Sequence, residues 1–172
     1  MASWVLKTNA AVVADTSPLN YLVLIEQVEI VPALFEKVFV PQIVRDELQH
    51  REAPESVRRW IAEPPSWVEI VPAGRDGDEP TLLHLDDGER AAIRLAIRIR
   101  AELLLIDDRD GVNAARRKGF AVTGTLGILD LAASRGLIQL GDAVERLRNT
   151  SFRCRPDILD ALLARHSPRE QL

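Results

Sequence analysis

Short apolar runs alternate with longer amphipathic segments along the chain, and each run ends at an acid, a proline or a turn residue. The first run, 11–14, stops at Asp15 and is followed by Pro18, which predicts a buried strand that passes into a helix with Thr16 or Ser17 as its N-cap. Further strands are predicted at 38–40, 67–71, 103–106 and 120–123. Helices are predicted at 18–25, 30–35, from 42 onward, 54–62, 88–101, 112–118, 124–134, 140–148 and 156–165.

The alternation of strands and helices predicts an α/β fold, in which a mostly parallel central sheet is covered on both faces as a three-layer α/β/α sandwich. We expect one domain over residues 1–172, with its core at about 11–150 and a C-terminal helical segment at about 152–166. Residues 73–80 combine glycines, a proline and charged residues, and this composition indicates a loop within the domain.

The net charge and the cysteine content exclude several classes of function. The chain has 22 Lys and Arg against 26 Asp and Glu, so its formal net charge of −4 argues against binding nucleic acid by a bulk positive field. Cys154 is the single cysteine, which excludes an internal disulfide framework and a thiolate zinc site. Residues 1–10 lack the pattern of a secretory leader, and no apolar run is long enough to cross a membrane. We therefore expect a cytoplasmic protein.

Two acids directly follow predicted strands. Asp15 follows the first strand, and Asp107 follows the strand at 103–106. In an open α/β sheet, ligands bind at the edge formed by the carboxyl ends of the strands, so both acids are candidates for a functional site. The alternative for Asp15 alone is that it only helps to cap the next helix.

Two glutamates lie on apolar faces of predicted helices. Glu47 shares its face with Val44 and Leu48, and Glu89 is in register with Ala92 at the start of the helix at 88–101. An acid on an apolar face is costly without compensation, so each glutamate requires a partner or a cation.

Basic residues form a row and a cluster. Arg90, Arg94 and Arg98 share one face of the helix at 88–101, and we interpret this row as a solvated face rather than a phosphate track. The candidates for local contacts to a phosphate backbone beside the acids are Arg109, Arg116, Arg117 and Lys118.

Acids that converge on one crevice repel each other unless they are protonated or neutralised. An all-carboxylate site without His or Cys prefers Mg²⁺ or Mn²⁺, and such ions support hydrolysis of a phosphodiester. The histidines His50, His84 and His166 are scattered and are expected at the surface. No Walker loop or GxGxxG motif follows any predicted strand, so phosphate binding through such a loop is excluded.

The acids belong to five segments that resemble the successive motifs of the PIN-domain nucleases, and more narrowly the VapC-related proteins with a Gly-Glu third motif. The resemblance extends over about Ala11 to Leu163. The segments are Val12–Leu19 (VVADTSPL), Val44–Leu48 (VRDEL), Leu85–Ile93 (LDDGERAAI), Leu104–Asp110 (LLIDDRD) and Thr123–Leu129 (TGTLGIL).

The resemblance implies a Mg²⁺- or Mn²⁺-dependent ribonuclease, often the toxin of a type II toxin–antitoxin pair, inhibited by a small partner protein and commonly a homodimer. By position, Asp15, Glu47 and Glu89 would be metal ligands, with Asp107 and Asp110 completing the catalytic set. The resemblance also implies that Ser17 and Thr125 hold a ligand or water through their hydroxyls.

Two features depart from the common pattern of these toxins. Glu89 stands where aspartate is more usual, which lengthens the side chain by one methylene. The fourth motif offers Asp107, Asp108 and Asp110, and Asp107 is the first candidate ligand because it is closest to the strand end.

Three other functions were weighed against the nuclease. A haloacid-dehalogenase phosphatase would need an aspartate at position 17, and a receiver domain would need a lysine after its last strand; the chain has neither. The remaining alternative is a catalytically silent PIN-like domain that binds RNA or protein.

Overall fold

A computed structural model of the protein describes residues 10–74 and 79–167, and within them five short strands form one parallel sheet. The strands coincide with the apolar runs of the sequence, because continuous apolar segments suit strands that are buried on both faces. They are β1 (Val12–Ala14), β2 (Val38–Pro41), β3 (Val68–Val71), β4 (Leu103–Leu105) and β5 (Ala121–Thr123).

The order of strands in the sheet is β3-β2-β1-β4-β5. β1 pairs with β2 on one side, where Val12 is opposite Val38, and with β4 on the other, where Val12 is opposite Leu103. The chain therefore places β2 and β3 on one side of β1, and it then crosses back to place β4 and β5 on the other side. This reversal creates a topological switch point between the carboxyl ends of β1 and β4, which is where sheets of this kind bind ligands.

Helices cover both faces of the sheet in the described part of the chain, which confirms the predicted three-layer α/β/α architecture. The longest, α5, begins after a 3₁₀ turn at Pro80–Leu82. The α-helices are α1 (Thr16–Leu24), α2 (Ile30–Leu34), α3 (Gln42–Leu48), α4 (Glu55–Ala62), α5 (Asp87–Ile99), α6 (Arg109–Arg117), α7 (Thr125–Ser134), α8 (Leu140–Arg148) and α9 (Pro156–His166).

Alternate residues of the central strands pack into two separate hydrophobic cores, one on each face of the sheet. Val12 and Leu105 point into the larger core, which is completed by apolar side chains of α1–α4 and α7–α9. Val13 and Leu104 point into the smaller core under α5 and α6. The sheet edge with the carboxyl ends is thus held between two packed layers, which fixes the positions of the residues that follow β1 and β4.

Four sequence predictions need correction or concern residues outside the described ranges. Asp15, not Thr16 or Ser17, is the N-cap of α1. His166, which was expected at the surface, is half-buried, and its Nε2 lies 2.6 Å from Asp130 Oδ1. The predicted absence of a leader at 1–10 and the predicted loop at 73–80 concern segments that lie largely or partly outside the described residues.

Candidate functional site

Asp15 lies at the switch point, immediately after β1. Its backbone N–H donates to the carbonyl of Leu105 at the end of β4, with an N···O distance of 2.9 Å, and the residue is only 4% exposed. Burial raises the pKa of the carboxyl group to about 8. The neighbouring acids Asp86, Glu89 and Glu47 raise the pKa further, while the Thr16 backbone N–H opposes the shift.

Glu47 reaches the same place from α3, on the helix face that carries Val44 and Leu48. The Thr16 hydroxyl donates a hydrogen bond to Glu47 Oε2, so Thr16 is the partner that the sequence analysis required for this half-buried acid. Burial raises the pKa of Glu47, and the Thr16 hydrogen bond offsets part of that shift. Sequence inspection missed Thr16 because its role depends on a contact across 31 residues.

Glu89 comes from the first turn of α5, where it forms a capping box with Asp86. The Glu89 N–H donates to Asp86 Oδ1 at 2.8 Å, and the Asp86 N–H donates to Glu89 Oε2 at 3.3 Å. The other oxygen, Oε1, is buried and accepts no hydrogen bond from a donor within residues 10–74 and 79–167. Burial raises the pKa of Glu89 to about 7; the charges of Asp86 and Asp108 and a side-chain hydrogen bond with Asp108 add to the shift, and the Asp86 backbone N–H opposes it.

Because Gly88 has no side chain, the carboxylates of Asp15 and Glu47 can approach the start of α5 closely. A Cβ atom added at Gly88 would lie 2.7 Å from Glu47 Oε2 and 3.0 Å from Asp15 Oδ1. A side chain at this position would occupy the space that the two carboxylates share. Gly111 plays the same part for Glu89, whose Oε1 would be 2.9 Å from an added Cβ.

The three aspartates after β4 have different surroundings. Asp107 accepts hydrogen bonds from the Thr125 backbone N–H at 2.6 Å and from the Thr125 hydroxyl at 2.7 Å. Burial raises the pKa of Asp107, and both Thr125 hydrogen bonds oppose this. Asp108 is the N-cap of α6 and is the acid of this group whose charge acts on Glu89, while Asp110 is exposed and donates its N–H to Asp108 Oδ1.

The structure therefore brings together Asp15, Glu47 and Glu89, with Asp86 and Asp108 beside them. Asp107 is tied to Thr125, so the Thr125 hydroxyl is engaged with that acid, and Ser17 lies half-buried in the first turn of α1. The roles assigned to Ser17, Asp107, Asp110 and Thr125 stay predictions. Asp86 is the N-cap of α5, and its charge also acts on Asp15, Glu47 and Glu89.

The variants Asp108→Asn and Asp107→Asn should show which of the two aspartates binds a metal ion and which one only stabilises the fold around the site. Asparagine caps a helix as well as aspartate, so Asp108→Asn should leave the melting temperature within a few degrees of wild type while it weakens Mn²⁺ binding. Asp107→Asn replaces two charge-assisted hydrogen bonds from Thr125 by two neutral ones, with the Thr125 hydroxyl now accepting from the amide, and should cost about 1 kcal/mol of stability. Thermal unfolding with and without Mn²⁺ measures both effects; the opposite pattern would make Asp107 the ligand.

The chemical type of the side chains at the site, carboxylates, fits a hard divalent cation. Among the described residues, the groups at the centre are carboxylates, and one buried oxygen of Glu89 accepts no hydrogen bond. The raised pKa values of Asp15 and Glu89 indicate that these acids do not all ionise without compensation. Among the residues that the structure describes, no three His, Cys, Asp or Glu side chains stand close enough to hold a metal ion. The carboxylates would have to draw together around an ion from their present positions.

The basic residues are arranged differently from the sequence expectation. Arg109 begins α6 beside Asp108, but Arg116, Arg117 and Lys118 lie at the other end of that helix, about 10 Å away along its axis. Lys118 is bound there to Glu79 at 2.6 Å. Of the four candidates, only Arg109 is therefore beside the acids.

The arginine row of α5 is not simply a solvated face. Arg98 is exposed, but Arg90 and Arg94 are half-buried along a groove of about 160 Å³. The groove runs beside α5 and past the carboxyl ends of β2 and β3.

The fold and site together define an α/β protein with a group of acids at the carboxyl edge of a parallel sheet. The crevice beside Asp15, Glu47 and Glu89 is called the acidic cleft below. The model of a family described as DUF3368, PIN domain, matches residues 11–168, and the chain belongs to this family of PIN-domain proteins. PIN domains are generally nucleases, which typically use divalent metals. Neither a curated protein nor a solved structure gave a match. None of the helices in the described parts of the chain has the length and apolar character needed to span a membrane.

Proposed function

We propose that this protein is a metal-dependent endoribonuclease that hydrolyses RNA phosphodiester bonds at the acidic cleft. The observation that carries the proposal is the approach of the Asp15 and Glu47 carboxylates to Gly88, with Glu89 near enough for its charge to act on Asp15 and with a buried Glu89 oxygen that accepts no hydrogen bond among the described residues. Membership of the PIN family supports the assignment to the nucleases.

Asp15, Glu47 and Glu89, with Asp108 or Asp107, would hold Mg²⁺ or Mn²⁺. The bound ion would activate a water molecule and stabilise the leaving oxygen. Without a cation at pH 7, Asp15 stays largely protonated and Glu89 about half protonated, because burial and the neighbouring acids raise their pKa values to about 8 and about 7. Binding of the ion must therefore release protons, so the apparent affinity should rise with pH.

The VapC resemblance extends the proposal to a biological setting. In that setting the protein is the toxin of a type II toxin–antitoxin pair, it acts as a homodimer in the cytoplasm, and a small antitoxin protein inhibits it. Each of these points rests on the motif pattern in the sequence.

The proposal predicts cleavage of a mixed-sequence single-stranded RNA with Mg²⁺ or Mn²⁺ and none with EDTA. A single-stranded DNA of the same sequence serves as the control for substrate class. Cleavage products separated on a denaturing gel give the measurement.

Two results would contradict the nuclease. Equal cutting with EDTA would remove the metal from the mechanism. Binding of Mn²⁺ in a thermal-shift assay, with no cutting of RNA, would favour the silent binding domain.

A further inference from the structure

The groove beside α5 contains an arginine whose hydrogen-bonding capacity is not used within the described residues. Arg94 Nε is buried and has no hydrogen-bond partner within residues 10–74 and 79–167. A buried guanidinium N–H without an acceptor is costly, and guanidinium groups suit phosphate oxygens particularly well. Arg94 is therefore suited to bind an anionic ligand in the groove.

The two neighbouring arginines of the row already have partners. Arg90 binds Asp87 and donates to the Leu85 carbonyl at 3.1 Å, and Arg98 donates to the Pro72 carbonyl at 3.1 Å. These contacts hold both cations along the groove. Arg94 stands between them, one helical turn from each, at a spacing of about 6 Å along the helix axis.

The described acids near the groove, Asp87 and Glu79, are engaged with cations other than Arg94. Asp87 is bound to Arg90 and its side chain is 73% exposed. Glu79 is close enough to Arg94 to be affected by its charge, but Glu79 is bonded to Lys118 at 2.6 Å and to Thr81 at 2.8 Å. Among the described residues, the charge of Arg94 is thus not cancelled, in a chain whose formal net charge is −4.

The groove adjoins the acidic cleft. Asp87 and Gly88 are consecutive in the first turn of α5; Asp87 lines the groove and Gly88 contacts the carboxylates of Glu47 and Asp15. A polyanion held with one phosphate at the acids would pass along α5 toward Arg94, because a charged groove of this kind follows a nucleic-acid backbone.

We propose that Arg94, supported by Arg90 and Arg98, forms a subsite for an RNA backbone phosphate next to the phosphate that is cut. The inference rests on the proposed ribonuclease function and adds a substrate-binding surface to it. It also explains how an acidic protein engages a polyanion, since the subsite supplies a local rather than a global positive charge.

Binding of a fluorescein-labelled single-stranded RNA to full-length protein carrying Asp15→Asn, in Mg²⁺, tests the subsite without cleavage. Arg94→Gln in this background should weaken binding about tenfold at low salt. It should also reduce the slope of log K against log salt by about 0.7, the value for one lost contact to a single-stranded phosphate. Arg135→Gln, at the exposed C-cap residue of α7 on the opposite face of the sheet from α5, is the matched control and should change neither quantity.

Stability and substrate length separate binding from a structural role. Arg94→Gln should not lower the melting temperature, because the lost donor has no partner in the described fold, and Arg94→Lys should restore much of the salt slope. In protein with Asp15 intact, Arg94→Gln should raise KM for an oligonucleotide and leave a dinucleotide, which has no flanking phosphate, unaffected.

The outcomes distinguish the two proposals. Unchanged RNA affinity and salt slope in Arg94→Gln, with cleavage by wild type intact, would overturn the subsite and leave the nuclease standing. Loss of affinity together with a lowered melting temperature that Arg94→Lys does not rescue would also overturn the subsite. Absence of both cleavage and RNA binding in the folded wild-type protein would overturn the proposed function and the subsite together.

Discussion

Asp15→Asn should reduce metal-dependent RNA cleavage by at least about a hundredfold and should make the metal-free protein more stable at pH 8. Both effects follow from the position of Asp15 at the centre of the acid group, 4% exposed and under the influence of three other acids. Asparagine has the same shape and still accepts the Thr16 N–H, so the change removes charge without removing volume. A central metal ligand is lost, and so is the repulsion it causes.

The effect on stability depends on pH with a definite sign. The pKa of Asp15 is raised from 3.8 to about 8 in the folded protein, so between these values the folded state holds a proton that the unfolded state has released. Stability from this group is therefore complete below about pH 4 and is lost as the pH rises to about 8. In EDTA, the wild-type protein should lose up to about 1.4 kcal/mol per pH unit from Asp15 in this window, and Asp15→Asn should lose correspondingly less.

Thermal unfolding between pH 5 and 8, with EDTA or Mn²⁺, measures the stability effects, and RNA cleavage measures activity. Asp46→Asn is the matched control, because Asp46 is exposed on α3 and should affect neither quantity. Mn²⁺ should raise the melting temperature of wild type and of Asp46→Asn but not that of Asp15→Asn. Full cleavage by Asp15→Asn would rule out Asp15 as a ligand.

Gly88→Ala should reduce cleavage by about ten- to a hundredfold while the fold stays intact. The new methyl group would stand 2.7 Å from Glu47 Oε2, and the cheapest relief is for the end of the Glu47 side chain to move. That movement breaks the Thr16 hydrogen bond and takes a carboxylate out of position. Alanine favours a helix over glycine, so stability should stay within about 1 kcal/mol of wild type.

Gly141→Ala provides the control for Gly88→Ala. Gly141 is also the second residue of a helix, α8, and an added Cβ there has no atom within 4 Å. Gly141→Ala should therefore keep full activity with equal or higher stability. Unfolding of Gly88→Ala, or cleavage at the wild-type rate, would show that the space next to Glu47 is not set by this glycine.

The strands and the acids that follow them could be predicted because the signal is local. Asp15 and Asp107 stand at the ends of continuous apolar runs, and a parallel sheet places such ends on one edge. The first turn of α5 was also predictable, since the spacing of Asp86 and Glu89 is that of a capping box. These features depend on residues a few positions apart.

The parts that sequence could not supply depend on contacts between distant segments. The different surroundings of Asp107 and Asp108 come from Thr125, 18 residues further on, which binds Asp107, while the charge of Asp108 acts on Glu89. The arginine row of α5 was interpreted as solvated because periodicity gives the face of a helix but not the shape of what lies beside it. The groove exists because the segment after β3 and the start of α3 pass close to α5.

The pairing of β1 with β4 joins residues about 90 positions apart, and it has a consequence for how the chain acquires its shape. Parallel pairings over long separations form slowly, because the intervening chain loses much entropy before the contact is made. Asp15 leaves the ribosome early, but its neighbours on α5 and after β4 follow much later. During synthesis the protein therefore carries an incomplete cleft, and any capacity to cut RNA should arise only when β4 has joined the sheet.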